Sequence, residues 1–366
     1  MIKNKRNVLA LAIFNFGVSG YWLVENFWIN LYWTRNVDPR VSYVGLMVAL
    51  SAIVGVLTQI FFGAFSDSCT SKHGRRRPFM LFSAITGGIA MCLFPITRTF
   101  SILIMAITYA IIMDAFITFF GDISTPPRLA LLAESTDIEK RGTINAIIGI
   151  TGAISTVIVI AVSGYLIIFA GPDFAFYYGG IAYIICGIVF FLISKDPPMN
   201  VCEKPWLENF KQTFTIESYR ENKSLYILLL FLFVNTIGVQ VIAPFIFIYI
   251  EATFGLEGLM LALVLGGLGL MSFLLSFPIG ILLDKLGRKP IMFLAACGAI
   301  VAAVLFALIP LGQGNMTFIY VFIFGGLLVG FWASIMGASD TWMQDLAPED
   351  RRGSMLAYKI VAVVIP

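Results

Sequence analysis

Three acidic residues lie inside long apolar segments: Glu25, Asp114 and Asp340. An ionised side chain in a bilayer costs about 2.5 to 3.5 kcal/mol on insertion scales, so such residues usually have a function. Burial favours the neutral form of a carboxyl group, and a buried aspartate can therefore bind a proton from one side of a membrane and release it to the other. Asp114 is the deepest of the three, and its sequence position fits either this coupling chemistry or a structural pair with a neighbouring helix.

Glu25 belongs to a polar and aromatic stripe. Tyr21 precedes it by four residues and Asn26 follows it, and residues three or four apart share one helix face. Sugar hydroxyls bind amides and carboxylates, and sugar rings stack on aromatic side chains, so the stripe suits a sugar. The alternative for Glu25 is a carboxylate at the outer headgroups. The predicted solute-binding residues are Tyr21, Glu25, Asn26, Asn235, Gln240 and Trp332, with a core or lipid-facing role as the alternative for the last of them.

These residues are embedded in segments that a bilayer would accommodate. Of the 366 residues, 59% are hydrophobic and 12% are charged, against roughly 25% charged in soluble domains. A hydrocarbon layer of about 30 Å takes about 20 helical residues. The sequence predicts an all-α integral membrane protein with about eleven spans. The eleven apolar segments are 8–31, 42–65, 79–96, 101–121, 143–168, 174–194, 224–250, 258–283, 290–311, 316–341 and 354–366.

The basic residues predict the orientation. Twenty of the 24 Lys and Arg residues fall at the N-terminus or in alternate connections, and three fall on the other side. Positive charge accumulates in cytoplasmic loops, so we predict a multi-pass protein of the cell membrane with a cytoplasmic N-terminus. We expect Lys359, inside the last segment, to extend to the inner interface, and Asp340 to cap a helix or pair with Arg351 or another loop base.

Two pairs of loops repeat across the chain. GAFSDSCTSKHGRRRPF begins at Gly63 and GILLDKLGRKP at Gly280, 217 residues later; AESTDIEKRGT and APEDRRGS form the second pair. A glycine at a helix end permits close helix approach, and an aspartate accepts hydrogen bonds from a helix N-terminus or an arginine. We predict that these loops lock one of two conformations, against the alternative that basic loops only set topology. The predicted gating residues are Gly63, Asp67, Gly74, Arg75, Arg141, Gly280, Asp284, Gly287, Arg288 and Arg352.

Gly-x-x-x-Asp followed by Gly-Arg-(Arg/Lys), present in both halves, resembles the loop signature of the major facilitator superfamily. SDSCTSKHGRRRPF, TPPRLALLAE and Gln59 resemble the sucrose transporters and, more distantly, the glycoside–pentoside–hexuronide cation symporters. In that group an acidic residue of the fourth helix serves coupling. Asp114 stands one turn from the position that Arg128 aligns with it, and Asp122 is a second candidate. The resemblance therefore implies Asp114, Asp122 and Arg128 as cation-coupling residues.

The resemblance implies the major facilitator fold, with two pseudo-symmetric six-helix bundles at 1–194 and 224–366 and a cytoplasmic linker at 195–223. The last segment has 13 residues, about 20 Å of helix, so the second bundle is expected to be incomplete. The function implied is proton- or sodium-coupled symport of a sugar or glycoside, with a proton preferred. The alternatives are export of a drug or metabolite and a transport-inactive receptor or truncated remnant.

Several other classes of function find no support in the residues. The chain has one histidine, His73, in a basic loop, and it shows no metal motif, phosphate loop or nucleophile–base pair. We therefore expect no enzymatic activity, no metal, no cofactor and no nucleic-acid partner. The expected partners are a small polar solute, a coupling cation and the lipid bilayer.

Overall fold

A computed structural model shows an α-helical chain, with no strand among the residues that it describes. These are 5–195, 216–242, 250, 253–256, 258–310 and 315–347, together with Arg352, Met355, Leu356, Lys359, Ala362 and Val363. The helices of the first half are α1 Lys5–Leu23, α2 Asn30–Asn36, α3 Val41–Asp67, α4 Arg77–Leu93, α5 Leu103–Asp122, α6 Thr125–Ser135, α7 Arg141–Phe169 and α8 Phe174–Ile193. Those of the second half are α9 Ile216–Glu221, α10 Lys223–Ile242, α11 Gly258–Leu286, α12 Arg288–Ala307, α13 Asn315–Tyr320 and α14 Gly326–Leu346.

Two spans contain a π-helical turn. Val24–Ile29 joins α1 to α2, and Val321–Gly325 joins α13 to α14. A π-turn inserts a residue into the helical hydrogen-bond ladder and is frequent at functional sites. The first of these turns carries Glu25, one of the residues predicted to bind a solute.

Nine helical segments of the described residues are long and apolar enough to cross a membrane. They fall on nine of the eleven predicted segments. Of the other two, 224–250 contains the shorter apolar helix Lys223–Gly238, and 354–366 falls mostly outside the described residues. The all-helical membrane architecture is therefore confirmed, while the number of about eleven spans stays a prediction.

The stretch 122–142 lies between the predicted segments 101–121 and 143–168 and was expected only to connect them, but most of it is helical. Residues Thr125–Ser135 form α6, which has two prolines in its first turn and a largely buried surface. Proline is favoured at the start of a helix because its missing N–H would have no partner there. The fourth span therefore continues past Asp122 and carries Arg128 into the protein interior.

The two halves meet along α7 and α11. A Cβ atom on Gly280 would lie 2.4 Å from the Ala146 Cβ and 3.0 Å from the Gly142 carbonyl oxygen. On the same helix, a Cβ on Gly269 would meet a single atom of the described residues within 4 Å, the Thr156 Cγ2 at 4.0 Å. We call the end of the bundle that carries the loops 68–76 and 136–140 and Gly287 the basic end. Of the two glycines compared, Gly280 lies nearer to this end, and the two halves approach more closely there.

Replacing Gly280 with alanine is expected to destabilise this interface, since overpacking costs about 1–3 kcal/mol. We expect the thermal unfolding midpoint in detergent to fall by at least about 3 °C. Gly269→Ala is the matched control, because it makes the same helix-favouring change on the same helix with room for the methyl group. Equal midpoints for the two variants would show that α7 and α11 do not pack as described.

Candidate functional site

Polar residues form a seam between α3 and α5. The residues on each helix are four apart, which places them on one face: Ser51, Gly55 and Gln59 on α3, and Asp114, Thr118 and Asp122 on α5. The Gln59 amide Nε2 donates to the Asp122 Oδ1 at 2.6 Å, and the Thr125 hydroxyl lies 3.5 Å from the same oxygen. Gly55 leaves room for the carboxylate, since a Cβ there would lie 2.6 Å from the Asp122 Oδ2.

Asp114 and Asp122 are buried beside neutral partners. Asp114 is 3% exposed and Asp122 is 5% exposed. The Ser51 hydroxyl, which lies near Asp114, donates to the Val48 carbonyl oxygen at 3.1 Å. Within the described residues, no Lys, Arg or His side chain approaches either carboxylate within 4.0 Å. A buried carboxylate without a cationic partner is most readily held in its protonated form. The arrangement suits reversible proton binding.

Glu25 lies on the π-turn, close enough to Asp114 and Asp122 for its carboxyl group to interact electrostatically with both. Asn26 is exposed, and its amide donates to the Trp22 carbonyl oxygen at 2.8 Å. Tyr21 is fully buried, and its hydroxyl donates to the Ile117 carbonyl oxygen at 2.6 Å. Glu25 and Asn26 therefore retain exposed surface in this conformation, whereas Tyr21, which was also predicted to bind a solute, has none.

The predicted solute-binding residues of the second half lie on α10 and α14. Asn235 and Trp332 are half-buried. The Asn235 Oδ1 and the Trp332 Nε1 are buried and have no hydrogen-bond partner within the described part of the chain. The Gln240 side chain lies outside that part. An acceptor and a donor without partners are groups that a bound solute could satisfy.

Arg128 does not lie with Asp114 and Asp122, although the resemblance groups the three residues. Its Nη1 donates to the Asn15 Oδ1 at 2.9 Å, and the Asn15 amide donates to the Ile148 carbonyl oxygen at 2.9 Å. The carboxylate whose charge acts on Arg128 belongs to Asp340 of α14. The reason is α6: as a helix rather than a loop, it directs Arg128 toward α1 and the second half.

A buried ion cluster closes the basic end of the first half. Arg76 pairs with Asp67 at 2.6 Å and with Glu134 at 3.1 Å, and Arg75 pairs with Glu134 at 2.6 Å. Burial alone would lower the pKa of the Arg76 guanidinium, but the carboxylates of Asp67 and Glu134 outweigh burial and raise its pKa. Arg76 therefore stays charged and joins the ends of α3, α4 and α6. The neighbouring Gly63 carbonyl oxygen accepts a hydrogen bond from the Ser66 hydroxyl at 3.1 Å.

A second cluster joins the two halves at the basic end. Asp284 accepts hydrogen bonds from the Gly142 and Thr143 amides at 3.0 and 2.7 Å and from the Thr143 hydroxyl at 2.6 Å. It thus caps the positive N-terminus of α7. Arg288 pairs with Asp284 at 2.7 Å and with Asp345 at 2.9 Å. Asp284 therefore joins the two halves at the basic end.

Arg141 and Asn145 extend the same cluster. Arg141 pairs with Asp345 at 2.8 Å, and the Asn145 amide donates to the Thr341 hydroxyl at 2.7 Å. Both contacts join α7 of the first half to α14 of the second half. Arg352 is buried, at 4% exposed.

The two clusters are related by the internal repeat. Gly74 and Gly287 both have positive φ angles, 106° and 88°, where a residue with a Cβ is strained. Glu134 and Asp345 are 211 residues apart, the same separation as Arg141 and Arg352. Each carboxylate forms an ion pair with an arginine of the repeated loop: Glu134 with Arg75 and Arg76, and Asp345 with Arg288. Asp345 was not among the residues predicted from the sequence, although this spacing identifies it.

Asn15 and Asn145 were not among the residues predicted from the sequence, although the amides Asn26, Asn235 and Gln240 were. Both are asparagines in otherwise apolar helices, and each bonds another element through its side-chain amide. Uncharged polar residues often join helices in this way in membranes.

Comparison with known proteins agrees with this architecture. The family model described as Major Facilitator Superfamily matches residues 8–362. The chain belongs to the major facilitator superfamily. Sugar efflux transporter B of Salmonella typhimurium is 25% identical over 324 residues, which cover 84% of this chain and 76% of that protein. A sucrose transport protein of Arabidopsis thaliana is 29% identical over 149 residues, 33% of this chain and 24% of the relative.

The solved structure of the major facilitator proton:xylose symporter XylE, bound to 6-bromo-6-deoxy-D-glucose, superposes with a TM-score of 0.71. It is 14% identical and covers 98% of this chain and 86% of that chain, so the likeness shows the fold alone. Members of the major facilitator superfamily are transporters, and the predictions of a transport fold and of a protein that is not an enzyme are therefore confirmed.

Proposed function

We propose that the protein is a proton-coupled sugar transporter that works by alternating access. The observation that carries the proposal is the burial of Asp114 and Asp122 in the α3–α5 seam beside neutral partners. A carboxyl group in such a place can gain a proton when it faces one side of the membrane and lose it when it faces the other. In this proposal, Asp114 and Asp122 carry the coupling proton.

The two halves, 1–194 and 224–366, move against each other, with 195–223 as the linker. Asp284 and Asp345 hold the basic end closed in the conformation described here, so access is from the opposite end. Breaking these contacts would admit solute to the basic end, as in the rocking of one bundle against another. By the distribution of basic residues, the basic end is cytoplasmic and the membrane is the cell membrane.

The solute class follows from the relatives, two of which are named for transport of sugar or sucrose. Glu25 and Asn26 in the first half, with Asn235 and Trp332 in the second, supply hydrogen-bonding and stacking groups that suit a polyhydroxylated ring. Gln240 completes the proposed set, and Tyr21 supports it from behind. The direction that we propose is symport into the cell.

A second candidate is sugar efflux driven by proton entry. The relative that covers 84% of this chain is named for sugar efflux, and the same buried carboxylates serve either direction. In symport, proton and sugar move the same way, whereas in efflux they move in opposite ways. The direction of sugar flux under an imposed proton gradient therefore separates the two candidates.

The test is transport in proteoliposomes that hold the purified chain in one orientation, with radiolabelled sucrose, maltose, lactose or glucose. Accumulation driven by an inward proton gradient supports symport, and outward movement of preloaded sugar under the same gradient supports efflux. A proton ionophore is the control and should abolish either flux. A thermal melting transition shows that the protein is folded. If such protein moves none of these sugars in either direction, the proposed function is wrong and a transport-inactive role takes its place.

A further inference from the structure

The fourth span is broken directly after Asp122. Helix α5 ends at this residue, residues 123–124 form a turn, and α6 follows. Pro126 and Pro127 have no N–H, so they cannot donate to the carbonyl oxygens four residues before them, those of Asp122 and Ile123. The helical ladder therefore does not fix the chain at the residue that we propose to carry the coupling proton, and contacts with other helices have to do so.

Two serines bind the peptide group that precedes Asp122. The Ser83 hydroxyl of α4 donates to the Gly121 carbonyl oxygen at 3.2 Å, and the Ser124 hydroxyl donates to the same oxygen at 2.9 Å. Both serines are fully buried. The Gly121 carbonyl and the Asp122 nitrogen share one planar peptide group. Bonds that fix this oxygen therefore also fix the direction in which the Asp122 side chain leaves the helix.

Tyr183 of α8 joins the two serines. Its hydroxyl oxygen lies 2.8 Å from the Ser83 Oγ and 3.2 Å from the Ser124 Oγ. A serine hydroxyl has one proton to donate, and both serine protons go to the Gly121 oxygen. The fully buried Tyr183 hydroxyl is therefore the donor in these contacts. Its removal leaves both serine oxygens without the proton that they share.

Aromatic packing places this hydroxyl. The Tyr183 ring lies 4.7 Å from the Tyr21 ring and 5.7 Å from the Phe14 ring, measured between centroids. A Cβ on Gly121 would lie 2.7 Å from the Tyr21 Cε1, so the rings pack directly against α5. The Tyr21 hydroxyl donates to the Ile117 carbonyl oxygen, one turn before Gly121. Two tyrosine hydroxyls thus serve successive turns of α5.

We propose that Tyr183 is a positioning residue for Asp122. Acting through the two serines and the Gly121 carbonyl, it keeps the Asp122 carboxyl group in its 2.6 Å contact with the Gln59 amide. This role rests on the proposed function, in which Asp122 carries the coupling proton. It makes coupling depend on a tyrosine of α8, a helix that contributes no residue to the α3–α5 seam.

The first test locates the Asp122 carboxyl group and needs no sugar transport. Dicyclohexylcarbodiimide is an apolar reagent that modifies protonated carboxyl groups in apolar surroundings, and mass spectrometry of peptides measures the modification at each aspartate. Tyr183→Phe keeps the ring and removes the hydroxyl. We expect the ratio of Asp122 to Asp114 modification in detergent to rise about fivefold, the equivalent of one lost hydrogen bond.

Tyr109→Phe is the matched control. It removes a hydroxyl that also joins α5 to α4, through the Leu93 carbonyl oxygen at 2.9 Å, but more than three turns before Asp122. It should leave the ratio within about twofold of the wild-type value, below the effect of one buried hydrogen bond. An unchanged ratio in Tyr183→Phe, or equal rises at Asp114 and Asp122, would overturn the inference, since equal rises indicate general loosening of the bundle.

Ser83→Ala combined with Ser124→Ala breaks the same route at another point. This pair of changes should reproduce the rise in the ratio, and adding Tyr183→Phe should raise it no further, because all three changes interrupt one path. If Tyr183→Phe adds its full effect in that background, Tyr183 acts by another route and the proposal is wrong.

Transport separates a positioning role from a packing role. In proteoliposomes, Tyr183→Phe should lower the gradient-driven concentration ratio of sugar about fivefold, by the same loss of one hydrogen bond, and keep exchange close to the wild-type rate. Loss of accumulation and exchange by equal factors would indicate a packing role and contradict the inference. Failure of the wild-type protein to move sugar overturns the proposed function instead, while the carbodiimide ratio still decides whether Tyr183 positions Asp122.

Discussion

Replacement of Asp284 with alanine should raise the equilibrium constant for opening of the basic end by about two orders of magnitude. The carboxylate accepts bonds from two α7 amides and the Thr143 hydroxyl, and it pairs with Arg288 at 2.7 Å. Loss of a helix cap costs about 0.5–2 kcal/mol, and a hydrogen bond to a charged group contributes about 1.5–3 kcal/mol. A combined loss of about 3 kcal/mol is a factor above one hundred. The reporter is Thr341→Cys in a background whose five native cysteines are replaced with alanine. Thr341 is fully buried in the α7–α14 contact, so the rate of labelling by a membrane-impermeant maleimide in detergent measures opening of the basic end.

The control for Asp284→Ala is Lys285→Gln, which changes the charge of the next residue. Lys285 is exposed, so its replacement should leave the labelling rate within about twofold. Thr143→Val offers a graded comparison, since it removes one of the three bonds from α7 and should give a smaller increase than Asp284→Ala. A labelling rate for Asp284→Ala that matches the Lys285→Gln control would mean that the cap does not hold the basic end closed.

The second large effect is expected at Asp122. Asparagine has nearly the shape of aspartate and can still bond Gln59, but it binds no proton in the physiological range. Gradient-driven accumulation of sugar by Asp122→Asn should therefore fall to a concentration ratio near one. Exchange of labelled for unlabelled sugar, which needs no net proton movement, should continue. Both fluxes are measured in the proteoliposomes used for the wild-type protein.

The matched control is Glu139→Gln, which neutralises an exposed carboxylate near the start of α7 and should keep full accumulation. Asp114→Asn, made in parallel, tests the other acid of the seam. If Asp122→Asn still accumulates sugar while Asp114→Asn does not, the coupling proton belongs to Asp114. Accumulation by both variants would remove the α3–α5 seam from the coupling mechanism.

The membrane spans and the repeated loops were predictable because each depends on a strong local signal. Hydrocarbon excludes charge over a length of about 20 residues, which marks a span such as Val41–Asp67 directly in the sequence. Gly287 and Asp284 stand in a spacing that the first half repeats, and Asp284 proved to bond the other half of the molecule.

The partners of buried charges were less predictable, because they depend on how helices far apart in the sequence pack together. The sequence alone is compatible with a Lys359 ammonium group at the membrane interface or beside an acid. Only the packing of its helical stretch near α14 brings it to Asp340. Likewise, Arg128 counts as a basic loop residue until α6 is recognised as a buried helix. The two prolines before Arg128 were the local sign of that helix.

The capped start of α7 has a consequence for biogenesis. The acids that pair with Arg76 lie within 58 residues of it in the sequence, so the ion cluster of the first half can form early in synthesis. The aspartate that bonds the Gly142 amide, Asp284, is 142 residues downstream, and the one that pairs with Arg141, Asp345, is 204 residues downstream. At about 5–20 residues per second, a ribosome needs about 7 to 30 seconds to supply the first of them. During that interval the nascent first half offers the insertion machinery an uncapped helix end.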